Sequence, residues 1–101
     1  MEKDTLKRYR FCRRRIEIGR GSKNDYATVD AVTAFIAAIP DALTREIFRE
    51  RYIHGCSWAQ VAFAVNNTPD SCRMIANRYL KAQKTEKIYK KLFVLFVFVV
   101  I

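Results

Sequence analysis

The chain has 101 residues, in which 19 lysines and arginines face 10 aspartates and glutamates, giving a formal net charge of +9. Half of its residues are hydrophobic, enough for one compact core that needs neither a metal nor a disulfide. A positive excess of this size indicates a polyanionic partner, either nucleic acid or an anionic membrane surface, and argues against a small neutral substrate.

The chemistry-bearing residues are few and scattered. The chain has three cysteines, Cys12, Cys56 and Cys72, and a single histidine, His54. No two cysteines have C-x-x-C spacing, so neither a zinc site nor a redox dithiol is predicted. We expect no metal, no cofactor and no enzyme activity, because no titratable cluster has catalytic spacing. The odd number of cysteines and the polar residues 1–4 predict a cytoplasmic protein without a signal peptide.

Residues 1–18 are predicted to contain a basic amphipathic helix, because Thr5, Tyr9, Cys12 and Ile16 recur on one helical face. Its basic residues are Lys3, Lys7, Arg8, Arg10, Arg13, Arg14 and Arg15. Such a run is typical of a solvated face, and contact of the arginine triplet with phosphates is the alternative. Residues 19–27 are rich in turn formers and are predicted to be a linker.

Residues 28–91 are predicted to form a helical domain. We expect Thr28 to cap its first helix and Pro40 to end that helix. The next helix is predicted from Asp41 to His54, with Gly55 as its left-handed C-cap. The inward-facing side chains of these two helices are predicted to be Val29, Val32, Phe35, Ile36, Ile39, Leu43, Ile47, Phe48 and Tyr52.

Two further helices joined by a short turn predict a helix-turn-helix. Ser57 begins the first, Trp58–Val65, and the asparagine pair 66–67 forms the turn, since asparagine tolerates positive φ. Thr68 is an N-cap and Pro69 occupies the first helical position of the second helix.

The crossing of these two helices requires a small residue, which Ala62 provides. Cys72, Ile75 and Tyr79 are expected to bury one face of the second helix, which is predicted to end at Leu80 or as late as Tyr89. The overall prediction is an all-α protein with a helix-turn-helix.

The opposite face of the second helix is free to enter a DNA major groove. Side chains expected to approach bases are Asp70, Ser71, Arg73, Met74 and Asn77, with Thr68 at the helix start. Those expected to contact phosphates are Arg78, Lys81 and Lys84.

One stretch carries a family resemblance. It consists of Ile39-Pro40-Asp41, then Arg45-Glu46-Ile47-Phe48, then Arg51-Tyr52-Ile53-His54-Gly55-Cys56-Ser57-Trp58-Ala59-Gln60-Val61-Ala62. Residues 39–80 resemble region 4 of sigma-70-type factors, and look closest to short sigma-like regulators of phages and mobile elements. The resemblance implies a sequence-specific, double-stranded-DNA-binding transcriptional regulator, with residues 68–80 as its recognition helix and RNA polymerase as a further partner.

The sequence also departs from that family. Asn66 and Asn67 stand where the family usually has glycine and an apolar residue. Pro69, Asp70 and Met74 replace polar residues that read the upstream promoter element in housekeeping sigma factors, so a different target site is expected. The chain has no counterpart of sigma region 2 and is therefore not expected to be a complete sigma factor.

Other functions remain open at this point. One is a helical module that docks on RNA polymerase or another protein without reading DNA, and another is a small terminase-like DNA-packaging recogniser that would form a ring. The apolar tail, residues 92–101, is too short to cross a membrane as a helix, at about 15 Å. Its composition favours a strand; it is a packed element, a self-association element or an unselected extension.

Overall fold

The structure is a computed structural model that describes residues 1–100, with side chains for residues 1–85. No strand occurs in this part of the chain, which confirms the all-α prediction. The helices are α1 (Lys3–Glu17), α2 (Lys23–Ala37), α3 (Ala42–Phe48), which continues into a π-helical turn (Arg49–Ile53), α4 (Trp58–Val65) and α5 (Pro69–Val100).

The basic N-terminal helix is present as α1 and packs along α2. Tyr9 and Cys12 are buried, as predicted, but the third buried residue is Leu6. Thr5 and Ile16 are only half-buried. The buried stripe is therefore rotated slightly from the predicted one, because the longer apolar side chain of Leu6 takes the core position that was assigned to Thr5.

The predicted linker over residues 19–27 is too long, since α2 begins at Lys23. Ser22 Oγ accepts from the Asp25 amide at 3.2 Å, while the Asp25 carboxylate accepts from the Ser22 amide at 2.9 Å. This reciprocal cap satisfies two otherwise free amides. Arg15 pairs with the buried Asp25 at 3.1 Å. The predicted cap, Thr28, consequently lies inside the helix.

The third predicted helix is present but changes character half-way. Asp41 caps α3 by accepting from the Thr44 amide at 2.9 Å. Leu43 was expected to face inward and is instead 39% exposed, because Thr44 takes the buried position in this turn. The backbone then widens from Arg49, and the His54 amide donates to the Arg49 carbonyl at 3.0 Å, five residues back.

Aromatic rings form the centre of the core. The Phe48 ring lies 6.0 Å from Phe35, 5.6 Å from Tyr52 and 5.7 Å from Tyr79, between ring centroids. All five helices contribute to the buried set, which is Leu6, Tyr9, Cys12, Val32, Ile36, Ile39, Ile47, Phe48, Tyr52, Val61, Ala62, Cys72, Ala76 and Leu80. The core thus holds the first turns of α5 firmly on the rest of the molecule.

The last helix extends further than the sequence predicts. It runs to Val100, so residues 92–100 continue α5 instead of forming the strand that their β-branched and aromatic content favours. The side chains of the predicted tail lie outside the described residues. Within the portion of the chain that is described, no helix has a stretch long and apolar enough to span a bilayer.

Candidate nucleic-acid interface

The connection between α4 and α5 has the caps that the sequence predicts. Ser57 Oγ accepts from the Gln60 amide at 3.2 Å, and Gln60 Oε1 accepts from the Ser57 amide at 2.8 Å. Asn66 ends α4 in the left-handed region, at φ 56°. Thr68 Oγ1 accepts from the Ser71 amide at 3.2 Å at the start of α5. The relative direction of the two helices is therefore set by local hydrogen bonds.

The packing between α4 and α5 centres on small side chains. Ala62 and Val61 are buried on the inner face of α4, and Cys72 and Ala76 are buried on α5. The Asn67 amide donates to the Ala62 carbonyl at 2.9 Å, which folds the turn back onto α4. The burial of Ala62 agrees with its predicted place at the crossing.

The loop that precedes α4 is held by the π-helical turn. Arg51 donates to the Cys56 carbonyl at 3.0 Å, and its guanidinium lies 4.7 Å from the centroid of the Trp58 ring. Glu50 contacts His54 at 3.0 Å and accepts from the Cys56 thiol at 3.5 Å. Burial alone would raise the pKa of Glu50, but these hydrogen bonds outweigh it and lower that pKa. The turn thereby fixes the start of α4.

The predicted DNA-facing residues lie on one exposed side of α5. Eight are exposed, namely Thr68, Asp70, Arg73, Met74, Asn77, Arg78, Lys81 and Lys84. Positions 70, 74, 77 and 81 follow helical spacing and form a stripe opposite the buried Cys72 and Ala76. Ser71 is only half-buried beside this stripe. The sequence therefore predicts correctly which face of the helix is free.

Several charges on this side have partners within the chain. Arg73 forms an ion pair with Asp70, one turn back along the helix. Lys84 Nζ lies 3.6 Å from Glu2 Oε2. Among the side chains that are described, neither Arg78 nor Lys81 forms an ion pair, so these two cations are the most available for an external anion.

The start of α1 reaches the same face, which the sequence does not predict. Lys3 Nζ donates to Asn77 Oδ1 at 3.1 Å, across a sequence separation of 74 residues. Met1 packs against the core next to it. Only tertiary folding brings Lys3 to α5, so no local pattern marks this residue.

The arginine triplet of α1 is largely engaged within the fold. Arg13 donates to the Tyr9 hydroxyl at 2.8 Å and pairs with Glu17 at 3.3 Å. Arg15 pairs with Asp25. Arg14 is exposed and has no such contact with any described side chain. Arg13 is thus engaged within α1 and Arg15 links α1 to α2, so the phosphate-binding alternative has less support here than on α5.

No family model matches the chain, and neither a curated protein nor a solved structure is significantly similar to it.

In the part of the chain whose side chains are described, no group of three His, Cys, Asp or Glu residues could hold a metal ion. Burial raises the pKa of the Cys12 and Cys72 thiols, which suits a packing role for both.

Proposed function

We propose that the protein binds double-stranded DNA in a sequence-specific manner and regulates transcription. In this proposal α4 and α5 form a helix-turn-helix, and the first turns of α5 are the recognition helix. The observation that carries the proposal is the exposed stripe of Asp70, Arg73, Met74, Asn77 and Lys81 on a helix whose opposite face lies in the core.

The chemistry of this stripe suits a DNA groove. The major groove is about 12 Å wide and admits one α-helix. Arg73 is suited to the acceptor edge of guanine, Met74 to a thymine methyl group and Asp70 to a cytosine amine. Arg78, Lys81 and Lys84 follow on the same helix and are suited to the phosphates that flank these bases. Phosphate contacts position a protein on the duplex without reading its sequence.

The role in transcription rests on the resemblance of residues 39–80 to sigma region 4. Ser57 starts α4 in the way that the resemblance implies, and Gly55 has the positive φ, 72°, expected of a residue that ends a helix. Pro69 and Met74 lack the hydrogen-bonding groups that read an ordinary upstream promoter element. The proposed target is accordingly a different sequence, in phage or mobile-element genes.

The proposal is tested by titrating duplex DNA at several salt concentrations. Each neutralised phosphate contributes roughly −0.9 to the slope of log K against log salt, so the three phosphate contacts proposed on α5 account for about −2.7. With further contacts from a chain of net charge +9, the slope should reach about −4 or steeper. An Arg78→Ala, Lys81→Ala double variant should have a shallower slope.

The charge-matched control is Arg20→Ala, together with Lys23→Ala. Arg20 is exposed in the turn after α1, and Lys23 is the exposed first residue of α2. Both follow the end of α1 opposite Lys3, about 21 Å along that helix. This control should bind DNA like the unsubstituted chain. Absence of binding at low salt, or an affinity that does not change with salt concentration, would exclude the proposal.

A docking function without DNA readout is the second candidate. The observation that favours it is Phe63, which is 91% exposed on α4, because a large exposed aromatic side chain is typical of a protein interface. If docking on RNA polymerase is the function, Phe63→Ala should abolish binding to the polymerase. If DNA binding is the function, the same substitution should leave the affinity for duplex DNA unchanged.

A further inference from the structure

We propose that Lys3 and Asn77 form a composite recognition site that selects guanine over adenine at one position of the target. This inference rests on the proposed DNA-binding function and adds to it a residue from outside the helix-turn-helix. It begins from the hydrogen bond between Lys3 Nζ and Asn77 Oδ1, at 3.1 Å.

This hydrogen bond favours one orientation of the Asn77 amide. A lysine ammonium has three N–H donors and no acceptor, so only the carbonyl oxygen of the amide can face it. The NH₂ group of Asn77 is thereby directed away from Lys3. A flip of the amide would break this contact and set its NH₂ group against the ammonium, so the contact favours a single orientation of the side chain.

The start of α1 is anchored where this contact occurs. Leu6, one turn after Lys3, is fully buried, and Met1 packs against the core. Glu2 also pairs with Lys84 on α5. On the other side, Ala76 and Leu80 bury the turn of α5 that carries Asn77. Packing of the neighbouring residues therefore holds the backbone of both Lys3 and Asn77 in place.

The composite presents hydrogen-bond donors and a positive charge. An isolated asparagine reads adenine with its oxygen on the N6 amine and its NH₂ on N7. Here the oxygen already accepts from an ammonium group, whose charge opposes the approach of the adenine amine. The NH₂ of Asn77 and the two remaining N–H groups of Lys3 suit O6 and N7 of guanine, which are both acceptors.

The test is selection from a random duplex pool, followed by titration of matched duplexes that differ at one base pair. The unsubstituted chain should prefer guanine at one position by about tenfold, a typical discrimination for one good base contact. Lys3→Met should reverse the preference to adenine, because Asn77 Oδ1 is then free. Lys3→Arg should retain guanine.

Further variants control the experiment. Lys7→Met removes an exposed lysine one turn further along α1 and should leave the base preference unchanged. Asn77→Ala should weaken the guanine preference, because Lys3 then loses the partner beside it, and Asn77→Ala combined with Lys3→Met should remove the preference at that position. Since both side chains are exposed, the thermal unfolding of every variant should match that of the unsubstituted chain.

The possible failures are distinguishable. If the unsubstituted chain binds no duplex, the proposed function itself fails and the composite site falls with it. If it binds DNA but Lys3→Met keeps the guanine preference, or weakens all sequences equally, DNA binding stands and the composite site is wrong. If Lys3→Met weakens binding to all sequences equally, Lys3 contacts a phosphate only.

Discussion

The guanidinium of Arg10, on α1, lies against Gly55, at the position that the Cβ of any other residue would occupy. Gly55 has a φ of 72°, in the region that favours glycine. The contact joins the N-terminal helix to the loop that leads into α4. A residue outside the predicted helical domain thus helps to position the proposed DNA-binding unit.

Gly55→Ala should destabilise the protein mainly through backbone strain. The left-handed conformation costs a residue with a Cβ about 1–2 kcal/mol, whereas Arg10 can swing its flexible end away. Gly19→Ala is the matched control, because Gly19 has a φ of 78° and a Cβ there would meet no atom within 4 Å. The two variants should lose similar free energy of unfolding in urea. A much larger loss for Gly55→Ala would mean that the Arg10 contact is itself important.

Ala62→Leu should destabilise the fold, because Ala62 is buried where α4 meets α5. Overpacking a filled core typically costs about 1–3 kcal/mol. Ala64→Leu, on the exposed side of the same helix, should change stability by less than about 0.5 kcal/mol. Thermal unfolding of both variants measures the difference. Equal stability would show that the two helices do not pack closely at Ala62.

Arg73→Ala and Lys81→Ala should weaken DNA binding in different ways. Arg73 lies near the start of α5 beside Asp70, where it is proposed to contact a base. Its loss should weaken the free energy of binding to the preferred site by about 1–3 kcal/mol and relax sequence specificity. Lys81 is proposed to contact a phosphate, and its loss should weaken all sequences alike. Competition titrations with random duplex separate the two effects. Uniform losses from both variants would reassign Arg73 to the phosphate contacts.

Acid should destabilise the α1–α2 pair through Asp25. The hydrogen bond from the Ser22 amide lowers the pKa of this carboxyl group, and contacts with Cys12 and Arg15 act in the same direction, against the effect of burial. The pKa of Asp25 is lower in the folded state than its unfolded value of about 3.9. The ionised carboxylate therefore contributes its full stabilisation above about pH 3.9. This stabilisation is lost as the pH falls through the folded-state pKa.

Asp25→Asn tests this dependence, because asparagine keeps the shape of the side chain without the charge. Thermal unfolding between pH 2 and pH 6 should show a shallower loss of Tm for the variant than for the unsubstituted chain. Asp30→Asn, an exposed site on the same helix, should retain the full pH dependence. Identical curves for Asp25→Asn and the unsubstituted chain would exclude Asp25 as the group responsible.

A chain truncated after Lys91 should retain its fold and its DNA affinity and become more soluble. The buried residues of the described core end at Leu80, and the proposed contacts end at Lys84. Residues 92–101 contain no charge, proline or glycine, a composition that promotes association between chains. Size-exclusion profiles and DNA titrations compare the two lengths. Unfolding of the shorter chain, or loss of an oligomer that DNA binding requires, would make the tail structural.

Features with a local cause could be predicted from the sequence. Ser57, Asn66 and Thr68 act through hydrogen bonds or backbone angles within a few residues, and all three have the conformations expected of them. Ser22 and Asp25 carry the same kind of signal, a serine followed three residues later by an acid. The neighbouring glycines, Gly19 and Gly21, indicate a linker and mask this signal.

Features with a tertiary cause could not be predicted. Leu43 satisfies the helical period, yet the neighbouring elements leave it 39% exposed. The π-helical turn at Arg49–Ile53 packs against α1, an element distant from it in the sequence. Lys3 meets Asn77 only because the packing of α1 against α2 and the π-helical turn brings its first turn to α5. A solvated charge and a charge held beside the proposed recognition face look the same in a single sequence.

The position of Met1 has a practical consequence for anyone who prepares this protein. Met1 packs against the core, and the next two residues contact Lys84 and Asn77. An affinity tag fused ahead of Met1 would therefore emerge beside the proposed DNA-facing surface. A polyhistidine or acidic tag at that end should alter the measured DNA affinity, and cleaving the tag should reverse the change.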